Sequence, residues 1–113
     1  MTIAAERVIN GVTQERNLVT DLPGPRSQAL LARKENAVSS GVGIGLPVFV
    51  TKAGGGILVD ADGNSLIDMG SGIAVTTVGN ANPEVARRVI EQVANFTHTC
   101  FMVTPYEGYV QVC

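Results

Sequence analysis

The sequence predicts an α/β chain, locally an α+β segment in the order helix, three-stranded antiparallel meander, helix. Two observations carry this. Three short runs, Val48-Phe49-Val50-Thr51, Ile57-Leu58-Val59 and Leu66-Ile67-Asp68-Met69, are rich in β-branched and aromatic residues and are separated by clusters of turn formers. On either side of them, from Arg26 and again from Pro83, apolar residues recur at helical spacing.

Residues 1–25 show no sustained period. Val8-Ile9, Val12 and Leu18-Val19 are too sparse for a core element, and Pro23-Gly24-Pro25 ends the segment. An arm lying on a partner surface and a disordered tail both fit such a stretch. From Arg26 the pattern turns helical: Pro25 suits a first helical position, and Leu30, Leu31, Ala37 and Val38 fall on one face. Ser39-Ser40-Gly41 should stop the helix, with Gly41 able to take the left-handed cap. Gly41, Gly43 and Gly45 before Pro47 invite comparison with a phosphate loop. No strand precedes them, the spacing is wrong, and strand-like residues follow, so they read as a connector.

In the meander, Gly54-Gly55-Gly56 should turn the first strand into the second. Asp60-Ala61-Asp62-Gly63-Asn64 should turn the second into the third, because Asp, Gly and Asn tolerate positive φ. A calcium loop fails on this stretch, since Ser65 stands where the loop glycine belongs and Ser71 where the bidentate glutamate belongs. The hairpin delivers a glycine-rich segment, Gly70-Ser71-Gly72-Ile73-Ala74-Val75. Asn82-Pro83-Glu84 then opens the clearest helix: a capping side chain, proline at the first position, and a carboxylate at the positive dipole end. Its apolar stripe is Val85, Ala86, Val89, Ile90, Val93 and Phe96. His98, the sole histidine, reads as a hydrogen-bonded packing residue, having no partners for a metal site. Thr104-Pro105-Tyr106-Glu107 has the form of a capping box that starts a last helix.

Composition narrows the function classes. Eight basic and ten acidic residues give a formal charge of −2, with no basic stripe interleaved with aromatics, which argues against nucleic acid. The least charged stretch, residues 36–51, is broken by glycines and Pro47 and cannot span a membrane. Cys100 and Cys113 lack C-x-x-C spacing and read as buried reduced thiols of a cytoplasmic protein. With 13 Gly, 3 Phe, 2 Tyr and no Trp in 113 residues, bulky core anchors are scarce. The last helix is cut off after barely two turns with an apolar face showing, so a piece of a longer protein is expected. The central stretch holds no nucleophile–base pair and no lysine; it reads as a wall of an active site, with reacting groups elsewhere.

The words Asp60-Ala61-Asp62-Gly63-Asn64-Ser65-Leu66-Ile67-Asp68, Gly72-Ile73-Ala74-Val75 and Asn82-Pro83-Glu84-Val85 resemble the N-terminal part of the class III (ω-amino acid) aminotransferases. The resemblance runs from about Pro47 to Cys113 and, more weakly, from Pro25. His98-Thr99-Cys100-Phe101 and Pro105-Tyr106-Glu107 are most similar to the bacterial branch that acts on 4-aminobutyrate. The resemblance implies a fold-type-I transferase dependent on pyridoxal 5′-phosphate. It implies a homodimer or higher homo-oligomer in the cytoplasm, moving the amino group of a small ω-amino acid to 2-oxoglutarate. It further implies an N-terminal arm and helix at 1–46, a small antiparallel sheet plus helix at 47–104, and the start of the large cofactor-binding domain at 105–113. The family's catalytic and cofactor-binding residues, the Schiff-base lysine among them, match no position here, and neither Lys34 nor Lys52 aligns with that lysine. One site residue carries over: Ile73 aligns with the isoleucine lining the substrate pocket, although a core role for it beyond the hairpin is also open. Where many relatives have Gly-His, this chain has Gly79-Asn80. Two alternatives stand beside this reading, another ω-aminotransferase acting on ornithine or acetylornithine, and a small non-enzymatic association module using the exposed helix face.

Overall fold

The structure, a computed structural model, describes residues 7–113; the beginning of the expected arm, residues 1–6, lies outside the described residues. Two compact units divide the chain, one ending at Pro83 and one running from Glu84 to Cys113.

The first unit is built on the expected meander. β3 (Val50–Gly54), β4 (Ile57–Asp60) and β5 (Ser65–Ile67) pair antiparallel in the order β3-β4-β5. The register sets Gly54 opposite Ile57 and Val59 opposite Ser65, with an irregularity between Val50 and Lys52. β3 starts two residues later than expected, because Val48 N–H turns back onto Leu46 O at 2.9 Å instead of entering the ladder.

The arm is not featureless, which corrects the sequence reading. β1 (Val8–Ile9) and β2 (Val12–Thr13) form a hairpin around Asn10-Gly11, both at positive φ, as a two-residue hairpin turn requires. Val12 is only 2% exposed and shares the apolar core with Ile57 at 5%. Burial by the neighbouring strands, invisible in so short a run, makes a core residue of it. Gln14 fastens this hairpin to the tip of β3–β4: its amide donates to Gly54 O at 2.9 Å and its carbonyl accepts Gly56 N–H at 3.1 Å. A Cβ on Gly54 would stand 2.1 Å from Ile9 O, so only glycine permits this approach. Further along, Asn17 and Ser65 exchange backbone hydrogen bonds of 3.0 and 2.7 Å.

α1 (Pro25–Ala37) starts at the expected proline. It ends earlier than expected and without Gly41: the β-branched Val38 turns to φ −113°, ψ 136° with its N–H on Lys34 O. Its N-terminus is capped from a distance. Asp62 accepts Arg26 N–H at 2.7 Å on one oxygen and Ser27 N–H at 2.9 Å on the other, filling orphan donors of the first turn. Partial desolvation pushes the Asp62 carboxyl up, but the Ser27 hydroxyl, the two amides and the Arg26 guanidinium together hold it below its ordinary value. The Ser27 hydroxyl, fully buried, favours that charge without reaching hydrogen-bond geometry to any described acceptor.

In the second unit α3 (Pro83–Asn95) carries the expected stripe, and Val85, Val89, Ile90 and Val93 are all exposed. Glu84 pairs with Arg87 and Arg88, and Arg87 also with Glu91, on the polar face. Hydrogen bonds from Arg87 and Arg88 hold the Glu84 carboxyl below its ordinary value. Beyond the helix, Tyr106 meets Phe96 and Phe101 edge-on at 5.6 and 5.4 Å, and Phe101 meets Tyr109 at 4.7 Å. α4 (Glu107–Val112) starts two residues after Pro105, with extended Tyr106 as N-cap and no capping side chain. The expected capping box therefore does not form; Thr104 instead faces Thr99, hydroxyl to hydroxyl. Two more expectations are corrected. Cys100 and Cys113 are free but exposed, and His98 is exposed with no hydrogen bond among the described residues, since this short segment buries none of its side chains. No helix among the described residues is long and apolar enough to cross a membrane.

Candidate functional site

Two loops leave the same sheet. The Asp60–Asn64 turn folds inward. Asn64, fully buried, uses all four of its hydrogen-bonding positions. Its Oδ1 accepts Val19 N–H at 2.8 Å and Thr20 N–H at 3.0 Å, while its Nδ2 donates to Thr20 Oγ1 and Asp60 Oδ2, each at 2.8 Å. Asp60 Oδ1 in turn accepts the N–H groups of Asp62 and Asn64. The acidic turn, which as a calcium loop fails on spacing, ties arm, sheet and α1 together through fully paired polar groups.

The second loop faces outward. α2 (Ser71–Ala74) is a single turn, and all four of its residues lie at positive φ: Ser71 47°, Gly72 59°, Ile73 63° and Ala74 63°. Left-handed backbone costs an L-residue roughly 1–2 kcal/mol, and three of the four are not glycine. For a β-branched residue such as Ile73 this is an outlier, kept only where neighbours dictate it. Ile73 is 94% exposed, so burial of its side chain within this chain does not repay the strain. The turn is held by polar contacts at its root. Asp68 accepts Ser71 N–H at 2.7 Å, Ser71 Oγ and Thr76 Oγ1 are 2.6 Å apart, and Val75 N–H closes on Ser71 O at 2.7 Å.

Of the residues singled out from sequence, Ile73 thus stands on a strained, outward-facing turn, away from the apolar core of Val12 and Ile57. The residues that hold it are Asp68, Thr76 and Asn80; of these, sequence singles out only Asn80, as the asparagine standing where many relatives have histidine. The signal available for Asp68 was an aspartate three residues before a serine at a glycine-rich bend, the spacing of a side-chain-capped turn. Lysines do not converge on this loop: Lys34 Nζ donates to Val42 O at 2.7 Å, and Lys52 lies exposed on β3. A groove of about 390 Å³ between the N-terminal hairpin and the sheet, lined by Val12, Glu15, Asn17 and Val59 among others, does not include Ile73. No group of three or more metal-ligating side chains occurs among the described residues.

Comparison with known proteins places these elements. Residues 39–113 match the family model for aminotransferase class-III. A 4-aminobutyrate aminotransferase of Mycobacterium tuberculosis (strain ATCC 25618 / H37Rv) is 70% identical over 99 residues, which are 88% of this chain and 22% of that protein. A 5-aminovalerate aminotransferase of Pseudomonas putida is 41% identical over 87 residues, 77% of this chain and 20% of that protein. This chain therefore spans about a fifth of the length of the relatives it matches. Among solved structures, an omega-transaminase from Sphaerobacter thermophilus is similar with a TM-score of 0.64 over 76% of this chain and 20% of that one. At 24% identity, that is a likeness of fold, and it accords with the helix–meander–helix order expected from sequence.

Proposed function

The chain belongs to the class-III aminotransferase family, and on that premise we propose that it is part of a pyridoxal-phosphate enzyme that transfers the amino group of 4-aminobutyrate to 2-oxoglutarate, forming succinate semialdehyde and glutamate. The observation that carries the reading is the exposed Ile73 on its strained turn, within a sequence 70% identical to a protein named for that donor. When bound, the cofactor supplies an electron sink for the carbon that loses its proton. The described residues do not fit the cofactor itself: Lys34 is engaged by Val42 O, Lys52 sits on an exposed strand, and no further lysine is present. Its site would be built by polypeptide this chain does not contain, so the contribution here is binding.

That contribution is specific. Ile73 offers a branched apolar surface to the methylenes of a four-carbon ω-amino acid, and the backbone at Gly72 carries no side chain to obstruct them. Cytoplasmic placement and a homodimer accompany the reading; two free exposed thiols, Cys100 and Cys113, accord with a reducing compartment.

The test is donor preference in the complete enzyme, with 4-aminobutyrate, 5-aminovalerate, ornithine and acetylornithine compared by kcat/KM. The reading expects 4-aminobutyrate first, and a clear lead for ornithine or acetylornithine would overturn it. Ile73→Ala removes three carbons from the wall and should raise KM for 4-aminobutyrate about tenfold, with kcat little changed. Equal losses in kcat and kcat/KM, with cofactor content intact, would give Ile73 a role confined to the transition state instead.

A further inference from the structure

The Ile73 turn is aimed by two side chains behind it. We propose that Asp68 and Asn80 are positioning residues that hold the left-handed turn, and through it set the affinity for the amino donor. The inference rests on the assignment of Ile73 to the substrate wall.

Both residues are hydrogen-bonded to the same place, the tip of the β3–β4 hairpin. Asn80 and Gly55 exchange backbone hydrogen bonds of 2.8 Å in each direction. Gly79 suits that pairing: its φ of +86° strains any other residue, and a Cβ there would crowd Gly55 Cα at 3.1 Å. Asp68 is fixed to the neighbouring residue of the tip, its N–H donating to Gly56 O at 2.9 Å. The two side chains then meet: Asn80 Nδ2 donates to Asp68 Oδ2 at 3.0 Å and lies 3.3 Å from Gly55 O. The second carboxylate oxygen, Oδ1, takes Ser71 N–H at 2.7 Å. One carboxylate therefore spans the entry of the turn and the strand-like segment beyond its exit.

Burial supports the division of labour. Asp68, Ser71, Thr76 and Asn80 are half-buried, while Gly72, Ile73 and Ala74 are exposed. The clamp lies under the turn and the apolar side chain stands above it. Positive φ at Ser71, Ile73 and Ala74 is unfavourable to each of them, so loss of the Asp68 acceptor lets the backbone relax to ordinary values. Ile73 would then leave its position with its own side chain unchanged.

The experiment uses the complete holoenzyme with Asp68→Ala, Asn80→Ala, Asp68→Asn, and Asp68→Ala combined with Ile73→Ala. Two quantities are read: amide hydrogen exchange across residues 70–76, and KM and kcat for 4-aminobutyrate. Asp68→Ala is expected to speed exchange of the turn at least tenfold, leave β4 unchanged, and raise KM five- to tenfold with kcat within about twofold. Asn80→Ala should do the same more weakly. Asp68→Asn keeps an acceptor for Ser71 N–H but sets an NH2 against the Asn80 donor, so it should bring both readouts back to the level of Asn80→Ala, which also guards against a misfolded Asp68→Ala. In the Ile73→Ala background, Asp68→Ala should add little to KM, because the side chain it aims is gone. Unchanged exchange in a folded Asp68→Ala enzyme overturns the clamp. Faster exchange with unchanged KM, when Ile73→Ala alone raises KM, overturns its bearing on substrate. If Ile73→Ala itself leaves KM unchanged, the substrate-wall assignment falls and takes that bearing with it, while the exchange data still decide whether Asp68 holds the turn.

Discussion

The loops at Asp60–Asn64 and Ser71–Ala74 leave the same small sheet and are built on opposite terms. In the first, side chains turn inward and every polar group of Asn64 is paired. In the second, four successive residues sit at positive φ and the apolar side chain of Ile73 faces out. One loop spends its residues on stability, and the other carries strain that local contacts restrain. Strain of this kind persists where the surroundings over-determine it, which is why it clusters at binding sites. The contrast teaches where to look in a segment with no reacting group: at the loop the fold makes costly.

The contrast can be broken by substitution. The largest effect is expected at Asn64→Ala in the complete enzyme. It leaves the amides of Val19 and Thr20 and one oxygen of buried Asp60 without their partner, at roughly 1–3 kcal/mol for each buried group. A loss of about 3 kcal/mol or more by denaturant midpoint is expected, with KM unchanged in the folded enzyme. A loss below about 1 kcal/mol would mean that the inward loop is not the staple its hydrogen bonds describe. Gly72→Ala should cost about 1 kcal/mol, since a Cβ there meets only Val75 Cβ at 3.5 Å and the penalty is conformational. A larger loss would show crowding at the outward loop that the glycine relieves.

The smallest effect is expected at Asp62. Its folded-state carboxyl lies below the ordinary value of 3.8, so the unfolded chain binds the proton more readily. The stability it contributes is complete above that ordinary value and is lost as the pH falls through the lowered one. Asp62→Asn keeps an acceptor for only one of the two amides and loses the charge, so it should lower the neutral-pH midpoint slightly and flatten the acid limb below about pH 4. An unchanged acid limb would remove the charge of Asp62 from the account.

Sequence reasoning reached the meander because β-branched runs between Gly, Asp and Asn clusters leave few alternatives, and it reached α3 because a stripe of six apolar residues has one helical solution. It reached less where structure depends on contacts far along the chain. The Asn10-Gly11 turn signal was present, but strands of two residues carry no period, and Val12 is buried only because β3 and β4 lie against it. The capping role of Asp62 joins residues thirty-five apart and has no local trace. At the candidate site, Gly72 was legible as a bend. Positive φ at Ser71, Ile73 and Ala74 was not, because local preference argues against it and the contacts at the root of the turn, from Asp68, Thr76 and Asn80, lie outside it. Thr104 to Glu107 shows the converse, a local capping pattern that the surrounding chain does not use.

The most direct test of the difference between the two loops is Ile73→Gly in the complete enzyme, read for stability and for KM together. Glycine takes positive φ without penalty, so relief of roughly 1–2 kcal/mol of strain, less the entropy glycine adds to the unfolded chain, should leave the enzyme more stable by about 0.5–1 kcal/mol. KM for 4-aminobutyrate should rise at least tenfold at the same time. A variant that loses stability, or one that keeps the parent KM, would contradict the claim that this turn holds its strain in order to present Ile73 to the substrate.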